Sequence, residues 1–125
     1  MTIKLSAANI SRITDDVAKP SYNRKDLSAG IVHVGVGNFH RAHQSVYLHQ
    51  LFEQGLDRDW AIIGAGVTQY DVAMRSKLQA QDWLTTVVEL DPEQLTARIT
   101  GSMIDFINVD ARAVIETMIK PNIRI

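Results

Sequence analysis

The spacing of apolar residues along this 125-residue chain changes several times, and each change predicts an element. Ile31 to Val36 is an apolar run rich in Val and Ile, the pattern of a buried parallel strand. From His40 to Gln54 the composition turns helical. Ala42, Val46, Leu48, Leu51 and Phe52 form an apolar stripe, and Gly55 follows as a C-cap. Trp60 to Val67 predicts a second buried strand ending in small residues. Asp71 to Gln81 predicts a second helix, with Val72, Met74 and Leu78 on its apolar side.

The pattern then becomes irregular. Leu84 to Leu90 is rich in β-branched residues, Asp91-Pro92-Glu93 is a turn signal, and Thr96 to Ile104 alternates. Together they predict an inserted β-hairpin. Ala111 to Ile119 predicts a third helix on Val114, Ile115, Met118 and Ile119, stopped by Pro121. After it Asn122-Ile123-Arg124-Ile125 reads as a turn and the start of an apolar strand, which is the end expected of a fragment. Residues 1–29 are weakly periodic. Pro20 disfavours helix at the residue before it, so this stretch is expected to be an N-terminal arm. The order of elements predicts an α/β fold: the arm over 1–29, then, over 30–125, an α/β sheet with an inserted β-hairpin.

Composition narrows the function. Hydrophobic residues make up 46% and the net charge is −1, which suits a globular domain and leaves no basic footprint for nucleic acid. There is no cysteine, so disulfide scaffolds and Cys-based zinc sites are excluded, in keeping with a cytoplasmic setting. No run approaches the roughly 20 apolar residues of a membrane span, and no secretory signal opens the chain. A membrane partner is not expected.

The candidate chemistry sits between the first strand and the first helix. Gly35-Val36-Gly37 follows an apolar strand and precedes a helix, the arrangement that presents backbone amides to a diphosphate. In the dinucleotide fingerprint the first glycine makes the turn and the second lets the backbone approach the pyrophosphate. The third lets helix and strand pack closely. Gly35 and Gly37 fill the first two places; His40 stands in the third. A plain strand-to-helix turn without ligand is the competing reading. The amides of Gly37, Asn38 and Phe39 are the expected pyrophosphate donors, and Arg41 is either a phosphate partner or a solvated helix residue. The fingerprint also expects an acid after the second strand to hold the ribose 2′-hydroxyl. Asp71 is the acid in reach, and a helix N-cap is its other reading. Residues 67–74 hold no Arg or Lys, which favours NAD over NADP, with NADP still open. His33, His40, His43 and His49 raise a metal reading, but no Asp or Glu lies between 27 and 52 to complete a ligand set, so no metal is expected.

The string Gly35-Val36-Gly37-Asn38-Phe39-His40-Arg41-Ala42-His43-Gln44 resembles the glycine loop of the long-chain mannitol dehydrogenase family, the polyol dehydrogenases and hexuronate reductases. Trp60 to Val67, Asp71-Val72-Ala73-Met74-Arg75, Leu78 to Asp82 and Gly101-Ser102-Met103-Ile104 extend the resemblance over about residues 20–125. It implies that residues 30–125 are the front part of a Rossmann-like NAD(P)-binding domain with an inserted β-hairpin, whose remainder and a mostly helical substrate domain would lie outside this chain. It also implies that the whole is a metal-independent, NAD(P)-dependent enzyme with a small-molecule sugar alcohol or sugar acid as partner. D-mannitol and D-fructose are the implied pair; reduction of a keto-hexuronate is the alternative, and a non-catalytic NAD-sensing module is the reading from another class. The catalytic lysine of the family, with its asparagine and histidine partners, belongs to a helical domain, so no catalytic residue is expected here. Members are often monomeric; the oligomeric state of this chain is not read. The candidate cofactor-binding residues are Gly35, Val36, Gly37, Asn38, Phe39, His40, Arg41 and Asp71. Tyr70 stands where the family more often has glycine.

Overall fold

A computed structural model describes residues 2–125. In chain order the elements are β1 (Val17–Ala18), β2 (Ala29–Val34), α1 (Asn38–Ala42), α2 (Gln44–Glu53), β3 (Ala61–Ala65), α3 (Gln69–Gln79), β4 (Thr85–Leu90), β5 (Leu95–Thr100), β6 (Met103–Phe106) and α4 (Ala111–Met118). Short 3₁₀ turns at Ile10–Arg12 and Arg24–Asp26 shape the arm. The chain is an α/β fold of the Rossmann type, with β4 and β5 as the inserted hairpin.

The strands form two sheets. The main sheet is parallel, in the order β2-β3-β6, with Val32 opposite Ile63 and Gly64 opposite Phe106. Its strands are apolar on both faces because helices cover both. Ile31, Ile62, Met103 and Phe106 pack with Leu48 of α2 and with Met74 and Leu78 of α3. Ala29, Ile63 and Ala65 pack with Ala113 and Val114 of α4. The chain's last residues join the free side of β2: the Arg124 amide donates to Gly30 O at 2.9 Å, and the Val32 amide donates to Ile125 O at 2.8 Å. The spatial order is therefore β6, β3, β2, then residues 123–125. Among the described residues no helix is long and apolar enough to cross a membrane.

Three expectations need correction. The first helix is two helices, because the chain breaks at His43 (φ −123°, ψ −79°). The His43 amide still makes the helical bond to Phe39 O at 3.0 Å, but its ring Nδ1 lies 2.9 Å from the same oxygen. Such side-chain bonding to the backbone competes with a continuous helix. Ala42, just before the break, is exposed rather than part of the buried stripe. The alternating run 96–104 is also two strands, which belong to different sheets. Between them Arg24 reaches from the arm to bond Gly101 O at 3.1 Å and Met103 O at 2.7 Å, and a Cβ on Gly101 would meet that side chain at 2.9 Å. Finally, the arm contributes a strand: β1 pairs in parallel with β5, Val17 opposite Ala97, so the second sheet runs β1-β5-β4. Tyr22 and Leu27 of the arm are buried with Phe52 and Ala61.

Candidate functional site

The turn from β2 into α1 is built by its two glycines. Gly35 sits at φ +93°, a conformation that L side chains rarely adopt, and its amide donates to Ala65 O at 2.9 Å, fastening the turn to the end of β3. Gly37 is the residue before α1, and a Cβ built on either glycine meets nothing within 4 Å. The space above the turn is open. One expected donor is already engaged, since the Gly37 amide donates to Gly35 O at 3.0 Å. The first intrahelical donor is Arg41, to Gly37 O at 3.1 Å. Between them the amides of Asn38, Phe39 and His40 make no hydrogen bond among the described residues. They are the orphan donors of a helix start, at the end of the helix that favours negative charge. The donor set is thus shifted one residue on, from 37–39 to 38–40.

The other loop residues divide by environment. Val36 is buried in the core beside Ile62, so only its backbone faces the turn. His40, where the fingerprint expects a small residue, is buried and stacks on His33 of β2, centroids 3.7 Å apart and planes 14° from parallel. Two flat rings face to face allow the close helix-strand approach that glycine allows elsewhere. His40 Nδ1 lies 2.9 Å from Gln44 Oε1, whereas the buried Nε2 has no partner among the described residues. Burial first, then the neighbouring His33, push the His40 pKa down to about 4. Phe39 is 78% exposed and stacks on His43 at 4.3 Å. Arg41 folds back over the turn, its Nη2 donating to Asn38 Oδ1 at 2.6 Å.

Asp71 is not the N-cap of α3. Thr68 holds that place, and Asp71 is the third helical residue of a capping box. Its Oδ2 accepts from the amides of Val67 (3.0 Å) and Thr68 (2.8 Å) and from Thr68 Oγ1 (2.8 Å). These donors, those of Thr68 foremost, hold its carboxyl below the usual carboxylate range. Oδ1 has no partner among the described residues. The contact with the strand end is so close that a Cβ on Gly66 would fall 2.1 Å from Asp71 Cβ.

Sequence reasoning missed one part of the site. A hollow of about 280 Å³ lies past the carboxyl ends of β3 and β6, lined by Gly66, Val67, Val109, Asp110, Ala111, Val114 and Ile115. Its walls are mostly apolar, and it opens on the same edge of the sheet as the glycine turn. In open α/β sheets that edge is where ligands bind. Val114 and Ile115 carry a helix pattern in the sequence, which hides their place in the wall of the hollow. The signal available was position: Asn108-Val109-Asp110 follows a strand and precedes a helix, as the glycine turn does. A larger cavity, about 730 Å³, lies elsewhere, among Asp15, Lys19, Glu53 and Arg98, between the arm, α2 and β5. Among the described residues no three metal-ligating side chains cluster.

Residues 29–125 match the family described as the mannitol dehydrogenase Rossmann domain. The chain is 56% identical over 115 residues to a mannitol 2-dehydrogenase of Cereibacter sphaeroides, covering 90% of this chain and 24% of that protein. It is 40% identical over 126 residues to the mannitol 2-dehydrogenase of Phaeosphaeria nodorum, covering 99% of this chain and 22% of the relative. Its structure is similar to that of Pseudomonas fluorescens mannitol 2-dehydrogenase in a ternary complex with NAD and D-mannitol (TM-score 0.93, 38% identity, 98% of this chain and 25% of the other). It is also similar to a substrate-free D-sorbitol dehydrogenase (TM-score 0.86, 32% identity, 97% of this chain and 26% of the other). The chain therefore spans about a quarter of the length of the relatives it matches.

Proposed function

The chain belongs to the mannitol dehydrogenase family, and from that premise we propose that it is the dinucleotide-binding part of an NAD-dependent oxidoreductase that moves hydride between a sugar alcohol and the nicotinamide, with D-mannitol and D-fructose as the pair. The observation that carries this reading is the turn itself: three unbonded amides at 38–40, open space over Gly35 and Gly37, and Arg41 laid across the loop. Amides left unbonded on a turn pinned to the end of β3 bind a diphosphate with little reorganisation. The residues fit the cofactor on its adenosine side as well. The apolar hollow beyond β3 and β6 accepts a flat base, and Asp71 Oδ1 is available to a ribose hydroxyl next to it. NAD rather than NADP is favoured because the nearby cations are committed. Arg75 donates to Phe106 O at 2.8 Å and lies over Trp83, and Arg112 pairs with Glu116 at 2.8 Å. When bound, the nicotinamide supplies the hydride chemistry; these residues hold and orient it.

A panel of D-mannitol, arabinitol and sorbitol with NAD and NADP, and of fructuronate and tagaturonate with the reduced cofactors, tests the reading in the full-length protein. The expected outcome is NADH production, fastest from D-mannitol, with kcat/KM for NAD at least tenfold above that for NADP. Turnover confined to the hexuronates would replace the substrate. Tight NAD binding with no turnover on any of them would make the protein a sensor.

A further inference from the structure

We propose that Asp110 is a base-reading residue, which selects the exocyclic amine of adenine in the hollow beyond β3 and β6. The inference rests on the dinucleotide reading of the glycine turn and deepens it. Among the residues lining the hollow, Asp110 is the one that ionises; the walls beside it are Val67, Val109, Val114 and Ile115. An apolar slot with a single charged group at its rim fits a flat heterocycle that carries one hydrogen-bonding substituent. The substituent must be a donor, because a carboxylate only accepts.

The side chain of Asp110 is held for this task. Oδ1 accepts from the Arg112 amide at 3.0 Å, so the residue caps α4 and its carboxylate is fixed by the helix it starts. Oδ2 makes no bond among the described residues. One oxygen positions the group, and the other is left for a ligand. An adenine amine finds an acceptor there. A purine with a carbonyl at the same place, such as hypoxanthine, sets two acceptors against each other.

Asn caps a helix as well as Asp does, and it exchanges one acceptor for a donor. Asp110→Asn therefore keeps α4 while inverting the code. In the full-length protein, calorimetric Kd values are compared for NAD and nicotinamide hypoxanthine dinucleotide. The wild type is expected to favour NAD by about tenfold, one charge-assisted hydrogen bond at an exposed rim. In Asp110→Asn the ratio is expected to collapse or reverse. Asp110→Ser, which also caps but is too short to reach a base, is expected to bind both alike, and it stands in if the Asn variant fails to fold. A variant that lowers both affinities by the same factor, or leaves the ratio as in wild type, overturns the role of Asp110 while the turn still binds NAD. A wild type that binds both dinucleotides equally overturns it too. Binding of neither by the wild type brings down the turn reading and this inference together.

Discussion

His40 shows how one side chain can do what its place in a motif normally forbids. It stands where the fingerprint wants a small residue and fits by lying flat on His33, at the cost of a buried ring nitrogen without a partner among the described residues. That arrangement tolerates only the neutral ring. In the unfolded chain a histidine titrates near 6.5, whereas burial against His33, with Arg41 alongside, moves His40 to about 4. Between those values the unfolded state binds more protons than the folded one, so stability is complete above about pH 6.5 and falls as the pH drops toward 4. Urea unfolding at pH 7.5 and pH 5 is expected to show a loss of about 1–2 kcal/mol on acidification. His33 and His49 shift in the same direction, so His40→Gln should reduce that loss, not abolish it. An undiminished loss in the variant would clear His40. Gly37 makes the opposite case, since nothing in the fold fills the space that a side chain there would take. A Cβ there meets no protein atom within 4 Å. Gly37→Val should leave the circular dichroism spectrum unchanged and weaken NAD at least tenfold by calorimetry, because the branched side chain fills the space over the amides.

At the scale of elements, what was legible is what repeats. The buried strands, the helices after them and the hairpin followed from runs and periods, and the two glycines announced the turn. What was not legible depends on partners distant in sequence or on one atom's bonding. Val17–Ala18 is too short to show a period and is a strand only because β5 lies beside it. The break at His43 comes from a ring nitrogen on Phe39 O, and the split at Gly101 from Arg24, 77 residues away. The hollow was hidden because Val114 and Ile115 satisfy a helix pattern whether or not they face a ligand. Asp71 combines both kinds of information: it completes the capping box of α3, and its Oδ1 has no partner among the described residues. The two roles separate by comparison. Thr68→Ala removes the cap, is expected to destabilise by about 1 kcal/mol, and should leave the NAD Kd unchanged. Asp71→Ala should destabilise by a similar amount and also weaken NAD about tenfold. Equal NAD affinity in the two variants would assign Asp71 to the helix alone.

For the whole molecule, strand order matters more than any one residue. The sequence β6, β3, β2 and then residues 123–125 is the 3-2-1-4 order of a doubly wound sheet. Its direction reverses between β2 and those last residues, which places the crevice beside Gly35. Residues 122–125 are therefore more than a tail. Asn122 Nδ2 donates to Ala29 O at 2.9 Å, the Arg124 and Ile125 backbones pair with Gly30 and Val32, and the Arg124 guanidinium lies 3.9 Å from the centre of the Trp60 ring. Without them the outer side of β2 presents bare amides and carbonyls, a template for another chain's strand. Truncating the 125-residue chain after Lys120 should therefore do two things. It should lower stability by roughly 4 kcal/mol, about one for each of the four hydrogen bonds that these residues make to Ala29, Gly30 and Val32. It should also shift elution toward larger species than those of the 125-residue chain in size-exclusion chromatography, increasingly so at higher concentration. Arg124→Ala, which keeps the backbone pairing and loses the guanidinium's contacts with Trp60 and Asp59, should destabilise without associating. If the truncated chain keeps both the stability and the elution volume of the 125-residue chain, the last residues do not seal the sheet, and the crevice loses the wall opposite its glycine turn.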